Sequence, residues 1–213
     1  MSRSARIVVT LVTSTLLLGS IGAALWRADW RYSLPTPRPA ELVQPERIEP
    51  GLFARLRAAA GAEHSEKPLL VHVYGPDCPC SRFNLDHVCE LAREFGERVD
   101  QLALSELAED EDAAPLQRND ELGLPELSEN DGRIARALGL YATPQAVLID
   151  RDGRIFFRGN YNLSRYCTRP DSAFARLALQ ALLAGRPTPA LPPEATRSYG
   201  CELPNAASGA RLP

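Results

Sequence analysis

The sequence predicts an α/β fold: a central mixed sheet flanked by helices, preceded by an N-terminal transmembrane helix. Three observations predict it. Residues 7–26 run for 20 positions without a charge. From residue 51 onward, short apolar runs alternate with amphipathic segments of helical period. Arg151-Asp152-Gly153-Arg154 separates two apolar runs and reads as a hairpin turn.

The uncharged N-terminal run has the length needed to cross a hydrocarbon core of about 30 Å. Arg3 and Arg6 precede it, which favours a cytoplasmic N-terminus and export of the remainder. Arg27, Arg31 and Arg38 follow it and speak for the opposite orientation. A cleaved signal peptide is the competing reading, with Gly22-Ala23-Ala24 as its small residues. Leu25 and Trp26 continue the apolar run past them, which favours an uncleaved signal anchor. An exported domain stands where disulfides persist. Residues 1–28 therefore form the anchor. Residues 29–50, with Pro35, Pro37, Pro39, Pro45 and Pro50, read as an extended tether. Residues 51–186 form the folded domain, and residues 187–213 a second Pro-rich stretch and tail.

With 213 residues, 45% hydrophobic and 24% charged, the chain can build one sizeable core. A net charge of −3 argues against nucleic acid as a main partner, because phosphate binding calls for a basic surface. Five cysteines are too few for a disulfide scaffold, and their odd number leaves at least one thiol outside any set of internal bridges.

Within the domain, residues 52–60 have helical spacing and end at Gly61. Residues 69–74 (Leu-Leu-Val-His-Val-Tyr) form a nearly continuous apolar run, as in a strand buried on both faces. Residues 82–95 read as a helix closed by Gly96, and residues 99–104 as a second strand. Residues 133–138 form a short helix ended by Gly139. Residues 146–150 and 155–158 are the two arms of the hairpin, and residues 172–183 make a last amphipathic helix stopped by Gly185. Residues 105–130 are an acidic insertion centred on Glu109-Asp110-Glu111-Asp112, best read as a solvated loop.

Cys78-Pro79-Cys80 lies at the junction between the apolar strand and the amphipathic helix. A helix N-terminus offers unpaired N–H groups and the positive end of a dipole, so it favours thiolate over thiol. A thiolate with a second sulfur beside it is the minimum apparatus for thiol–disulfide exchange.

The run LLVHVYGPDCPCS over residues 69–81 resembles the thioredoxin-like superfamily, in which a buried strand and an aromatic lead into the redox motif. Tyr141-Ala142-Thr143-Pro144-Gln145 resembles the segment where such proteins carry a cis proline facing the active-site sulfurs. The Arg151–Arg154 turn is similar to that of membrane-anchored thioredoxins of bacterial envelopes. The resemblance covers about residues 51–185 and implies a thioredoxin-like fold and thiol–disulfide chemistry on protein thiols and disulfides. It further implies a membrane or periplasmic redox partner, a single pass through the bacterial inner membrane with the domain in the periplasm, and no cofactor.

Carried residue by residue, the resemblance makes Cys78 the nucleophile, while Ser81 occupies the place of the usual second cysteine. Cys80, one position early, becomes the resolving sulfur, and the small ring that a Cys-x-Cys disulfide closes implies an oxidising or isomerising character. Ser81 is placed to cap the helix or bond the thiolate. Tyr74, Thr143 and Pro144 are candidate substrate contacts. His72 matches the position of a buried acidic residue, so it is either a proton shuttle or a satisfied core histidine.

Two further classes compete. His87 lies seven residues after Cys80, so with Cys78 and Cys80 it could hold copper or zinc, as in a metallochaperone. A non-catalytic binding or assembly module would keep the fold without a reactive thiol. Cys89 sits in a helical pattern and reads as core. Cys167 and Cys201 are candidates for a structural disulfide that closes a loop of about 35 residues, worth about 3 kcal/mol, or for an electron relay.

Overall fold

Strand β1 (Leu69–Tyr74) is buried along its whole length and forms the middle of the sheet. The structure is a computed structural model that describes residues 2–76, 78–106, 123–129, 132–164 and 169–203, the side chains of residues 28–33 excepted. It divides into two units, residues 1–34 and residues 35–213.

The first unit is helix α1 (Arg3–Ser33), capped by Ser2, whose Oγ accepts from the Ala5 N–H at 3.2 Å. Its stretch Arg3–Arg27 is long and apolar enough to cross a membrane, with 18 residues of it at a mean hydropathy of 2.0. Polar side chains in that stretch bond the helix itself. The Thr13, Thr15 and Ser20 hydroxyls donate to the carbonyls of Val9, Leu11 and Leu17 at 2.8 to 2.9 Å. Internal satisfaction of that kind is what a hydrocarbon surround demands.

In the second unit, helix α2 (Pro50–Ala59) precedes β1, and helix α3 (Pro79–Phe95) follows it. Strand β2 (Asp100–Glu106) pairs parallel with β1, and β3 (Glu126–Glu129) parallel with β2. Helix α4 (Arg133–Ala137) leads to β4 (Ala142–Thr143), followed by β5 (Gln145–Ile149) and β6 (Ile155–Gly159). Helix α5 (Phe174–Leu183) and strand β7 (Cys201–Glu202) complete the described chain. The sheet order is β3-β2-β1-β5-β6, with β5 antiparallel to both β1 and β6. A separate two-stranded sheet joins β4 and β7.

Alternation along β1 sends side chains to opposite faces. Leu70 faces a core with Leu85, Leu91 and Phe95 of α3 and Phe174 and Leu179 of α5. Leu69, Val71 and Val73 face a second core with Leu56 of α2, Ile134 of α4 and Leu102 and Leu104 of β2. Both faces are covered, which is why β1 reads as a nearly continuous apolar run.

The expected elements all appear; α5 starts at Phe174 rather than at residue 172, β4 and β7 have no counterpart among them, and three further differences stand out. Helix α3 starts at Pro79 rather than at residue 82, because proline at the first helical position has its torsion preset and no N–H to leave orphaned. Strand β3 forms within the acidic insertion, at residues 126–129; Glu109 to Asp112 lie outside the described residues. Within residues 29–50, read as an extended tether, residues 44–48 make hydrogen bonds to the domain. The Ile155 N–H donates to Glu46 O (2.8 Å), the Ile48 N–H to Gly153 O (3.0 Å) and the Gln44 amide to Gly139 O (3.0 Å). Strand β6 ends the sheet, and this segment covers its open backbone groups at the hairpin.

Candidate functional site

Cys78 is the N-cap of α3, with Pro79 in its first turn. The Cys78 carbonyl accepts from the Ser81 N–H at 3.0 Å, and the Cys78 N–H donates to Gly75 O at 3.1 Å. Ser81 does not cap the helix. Its Oγ accepts from the Gly75 N–H at 3.1 Å, and the helix has no side-chain cap. Ser81 thus fixes the loop that presents Cys78. The loop is closely packed at Gly75, where a Cβ would stand 3.2 Å from Thr143 Oγ1 and 3.3 Å from Cys78 Cβ.

Thr143 and Pro144 are joined by a cis peptide bond and are both buried. Cys78 Sγ lies 3.5 Å from the Thr143 carbonyl oxygen. The sulfur at the start of α3 and the proline segment are therefore in contact, as the resemblance implies.

The sulfur pairing differs from the expectation. Cys78 is bonded to Cys201, 123 positions away, with their Cα atoms 5.9 Å apart. That separation lies in the range a disulfide requires. Pairing of β7 with β4 creates it: Thr143 stands opposite Cys201, and Ala142 opposite Glu202. Cys201 is thus joined to Cys78 and not to Cys167, which lies outside the described residues. Cys80, expected to close a disulfide with Cys78, is a fully buried thiol. All three sulfurs nonetheless lie within 4.8 Å of one another.

Sequence reasoning missed this link because a separation of 123 residues carries no local signal. Gly200 beside Cys201 is the one trace. It adopts φ +126°, and a Cβ there would come within 2.1 Å of Thr143 O, so only glycine lets the tail reach the proline segment.

His72 is buried in β1, on the face that α3 covers. Gln101 donates through Nε2 to Leu91 O and Ala92 O, both at 3.4 Å. Its Oε1 then accepts from His72 Nε2–H (2.9 Å), and His72 Nδ1 accepts from the Tyr161 hydroxyl (2.8 Å). Burial lowers the His72 pKa to about 4, against the weaker opposing effect of the Gln101 hydrogen bond. Both ring nitrogens are engaged by side chains, so the geometry is that of a satisfied neutral histidine. Tyr74 turns its hydroxyl to Glu126 of β3, and burial raises its pKa.

Among the described residues, the group fit to hold a metal is Cys78, Cys80 and Cys201. His87 is not in it: its Nδ1 lies 3.9 Å from Glu90 Oε2, and burial lowers its pKa. Cys89 is partly buried and packs against the core beneath α3, as expected.

A mixed sheet in this order, a cysteine opening the helix after its central strand and a cis proline against that sulfur define a thioredoxin-like domain. Residues 51–202 match the model of a family described as a domain of unknown function (DUF6436), and the chain belongs to that family. The matched span includes Cys201.

The crystal structure of an uncharacterized conserved protein from Geobacillus kaustophilus is similar at 26% identity and a TM-score of 0.56, over 65% of this chain and 77% of that one. A hypothetical protein from Sinorhizobium meliloti 1021 is similar at 21% identity and a TM-score of 0.51, over 65% and 80%. A secreted disulfide oxidoreductase from Mycobacterium tuberculosis matches at 19% identity and a TM-score of 0.41, over 59% and 86%. No curated protein matches the chain.

Proposed function

We propose that this chain catalyses thiol–disulfide exchange on protein substrates of a bacterial envelope, with Cys78 as the nucleophile. One observation carries the reading: at the start of α3, against the cis-proline segment, a disulfide and a thiol lie with all three sulfurs within 4.8 Å. A thiol that close to a disulfide has the parts for exchange without further cofactor.

The Cys78 thiolate, favoured by the N-terminus of α3, attacks one sulfur of a substrate disulfide. The Cys78–substrate bond forms and the substrate's other sulfur leaves as thiolate. Cys80 then attacks Cys78 Sγ, the Cys78–Cys80 bond forms, and the substrate leaves reduced. Run backwards, the same steps oxidise a dithiol. Thr143 and Pro144 position the substrate backbone, and a membrane or periplasmic partner resets the sulfurs. The apolar stretch Arg3–Arg27 supports anchoring in the inner membrane, and Arg3 and Arg6 before its core support a periplasmic domain.

The test is reduction of a model disulfide peptide by the reduced full chain in detergent. Cys78→Ser should lower the rate by about a hundredfold or more, since it removes the attacking sulfur. Undiminished exchange by that variant would end the proposal.

A second reading has the same three sulfurs behind it. Once reduced, they would give a soft metal such as Cu(I) or Zn(II) three thiolate ligands. Metal analysis of anaerobically purified chain separates the two readings, because a metallochaperone retains about one equivalent and an exchange enzyme retains none.

A further inference from the structure

Strand β7 meets the site in the two ways that a bound substrate would. Its backbone pairs antiparallel with the residues before Pro144, Thr143 opposite Cys201 and Ala142 opposite Glu202, and the Leu203 N–H extends the ladder to Tyr141 O at 3.1 Å. Its sulfur is bonded to Cys78. The edge of β4 that an extended polypeptide would need is therefore already taken.

The chain just before β7 is held independently of the sulfur. Ser198 accepts at its carbonyl from the Thr36 N–H (2.8 Å), donates its N–H to the Tyr141 hydroxyl (3.2 Å) and accepts at Oγ from the Gln145 amide. The Tyr199 hydroxyl donates to Asn162 O at 3.0 Å. Gly200, at φ +126°, then turns the chain onto Thr143. An anchor at residues 198–199, a glycine pivot and a short strap over Cys78 follow one another in the chain. The strap leaves Cys78 only 5% exposed, while Cys80 waits inside, within 4.8 Å of both bonded sulfurs.

We propose that Cys201 is a third redox cysteine carried on a built-in substrate mimic, and that Cys80 expels it from Cys78 by internal exchange. The inference rests on the reading of Cys78 as an exchanging sulfur. Cys80 gives up its proton and its thiolate attacks Cys78 Sγ. The Cys78–Cys80 bond forms as the Cys78–Cys201 bond breaks. Cys201 leaves as thiolate and takes up a proton, and no electrons are gained or lost. With its sulfur released, the strap is held at β4 by backbone bonds alone. The Thr143 edge then opens to the substrate class it copies: an extended segment carrying a cysteine.

The test uses the oxidised full chain in detergent, with reduced glutathione as the probe thiol and acid-quenched peptide mapping of the disulfides. The wild-type chain should hold both the Cys78–Cys201 and the Cys78–Cys80 forms. Cys80→Ser should hold Cys78–Cys201 alone and react with glutathione about tenfold more slowly or worse. Gly200→Ala changes no sulfur but sets a Cβ against Thr143 O. It should shift the population toward Cys78–Cys80 and speed the glutathione reaction severalfold. Cys80→Ser reacting as fast as wild type would overturn the proposal, as would Gly200→Ala leaving both the map and the rate unchanged. Either result alongside exchange that still needs Cys78 removes only the role of Cys201. Exchange that survives Cys78→Ser removes the functional reading itself.

Discussion

Thr143 and Cys201 face one another across an antiparallel strand pair, and Cys201 is at the same time bonded to Cys78. One residue of the tail thus ties the start of α3 to the cis-proline segment. The site of this protein is assembled from three distant parts of the chain: the Cys-x-Cys motif, the Thr143–Pro144 turn and the strand after the Pro-rich stretch.

Asn160 decides how firmly that third part is attached. Its buried amide donates to Glu194 O at 2.8 Å and to Arg197 O at 2.7 Å. Asn160→Ala strands two carbonyls and should cost about 2 kcal/mol. Urea denaturation followed by far-UV circular dichroism should show a lower midpoint at an unchanged slope.

The loop before α3 gives a second expectation. Ser81→Ala removes the acceptor of the Gly75 N–H and should cost about 1 kcal/mol. It should slow the reaction of reduced Cys78 with a model disulfide severalfold while leaving the alkylation pKa of that thiol in place. A marked rise in that pKa would show instead that the Ser81 hydroxyl bonds the thiolate.

Acid stability should follow His72. Burial holds its pKa at about 4, below the ordinary 6.5, so between these values the unfolded chain binds a proton that the folded chain refuses. The contribution is fully present above pH 6.5 and is lost as pH falls toward 4, about 3 kcal/mol in all. His87 is shifted in the same direction by burial and adds to the same slope. Denaturation midpoints from pH 7 to pH 4 should therefore fall less steeply in His72→Gln than in the wild-type chain. Equal slopes would contradict this account of His72.

Much of the fold was legible because its signals are local. Residues 69–74 are apolar but for His72 because both faces of β1 are covered, and Asp150 shapes the hairpin by accepting from the N–H groups of Asp152 and Arg154, each at 2.9 Å. Cys78 and Thr143–Pro144 were legible as a site through motif and order. Three features were not. Strand β3 is four residues long, Glu-Leu-Ser-Glu, and forms only because β2 offers it an edge. Residues 35–49 look like a tether in composition, yet their backbone groups find partners at the hairpin and the Gln44 side-chain amide finds one just after α4. The Cys78–Cys201 bond depends on β4 and β7, two-residue strands too short to leave any periodicity.

The most direct measurement traps the first covalent step. Reduced full-length Cys80→Ser/Cys201→Ser in detergent, which leaves Cys78 without a resolving sulfur in the site, is mixed with a disulfide-linked peptide, quenched in acid and mapped by mass spectrometry. The account predicts a mixed disulfide at Cys78 in near-stoichiometric amount, formed faster than at Cys89 or Cys167. Peptide attached at one of those cysteines first, or none attached at Cys78, would contradict it.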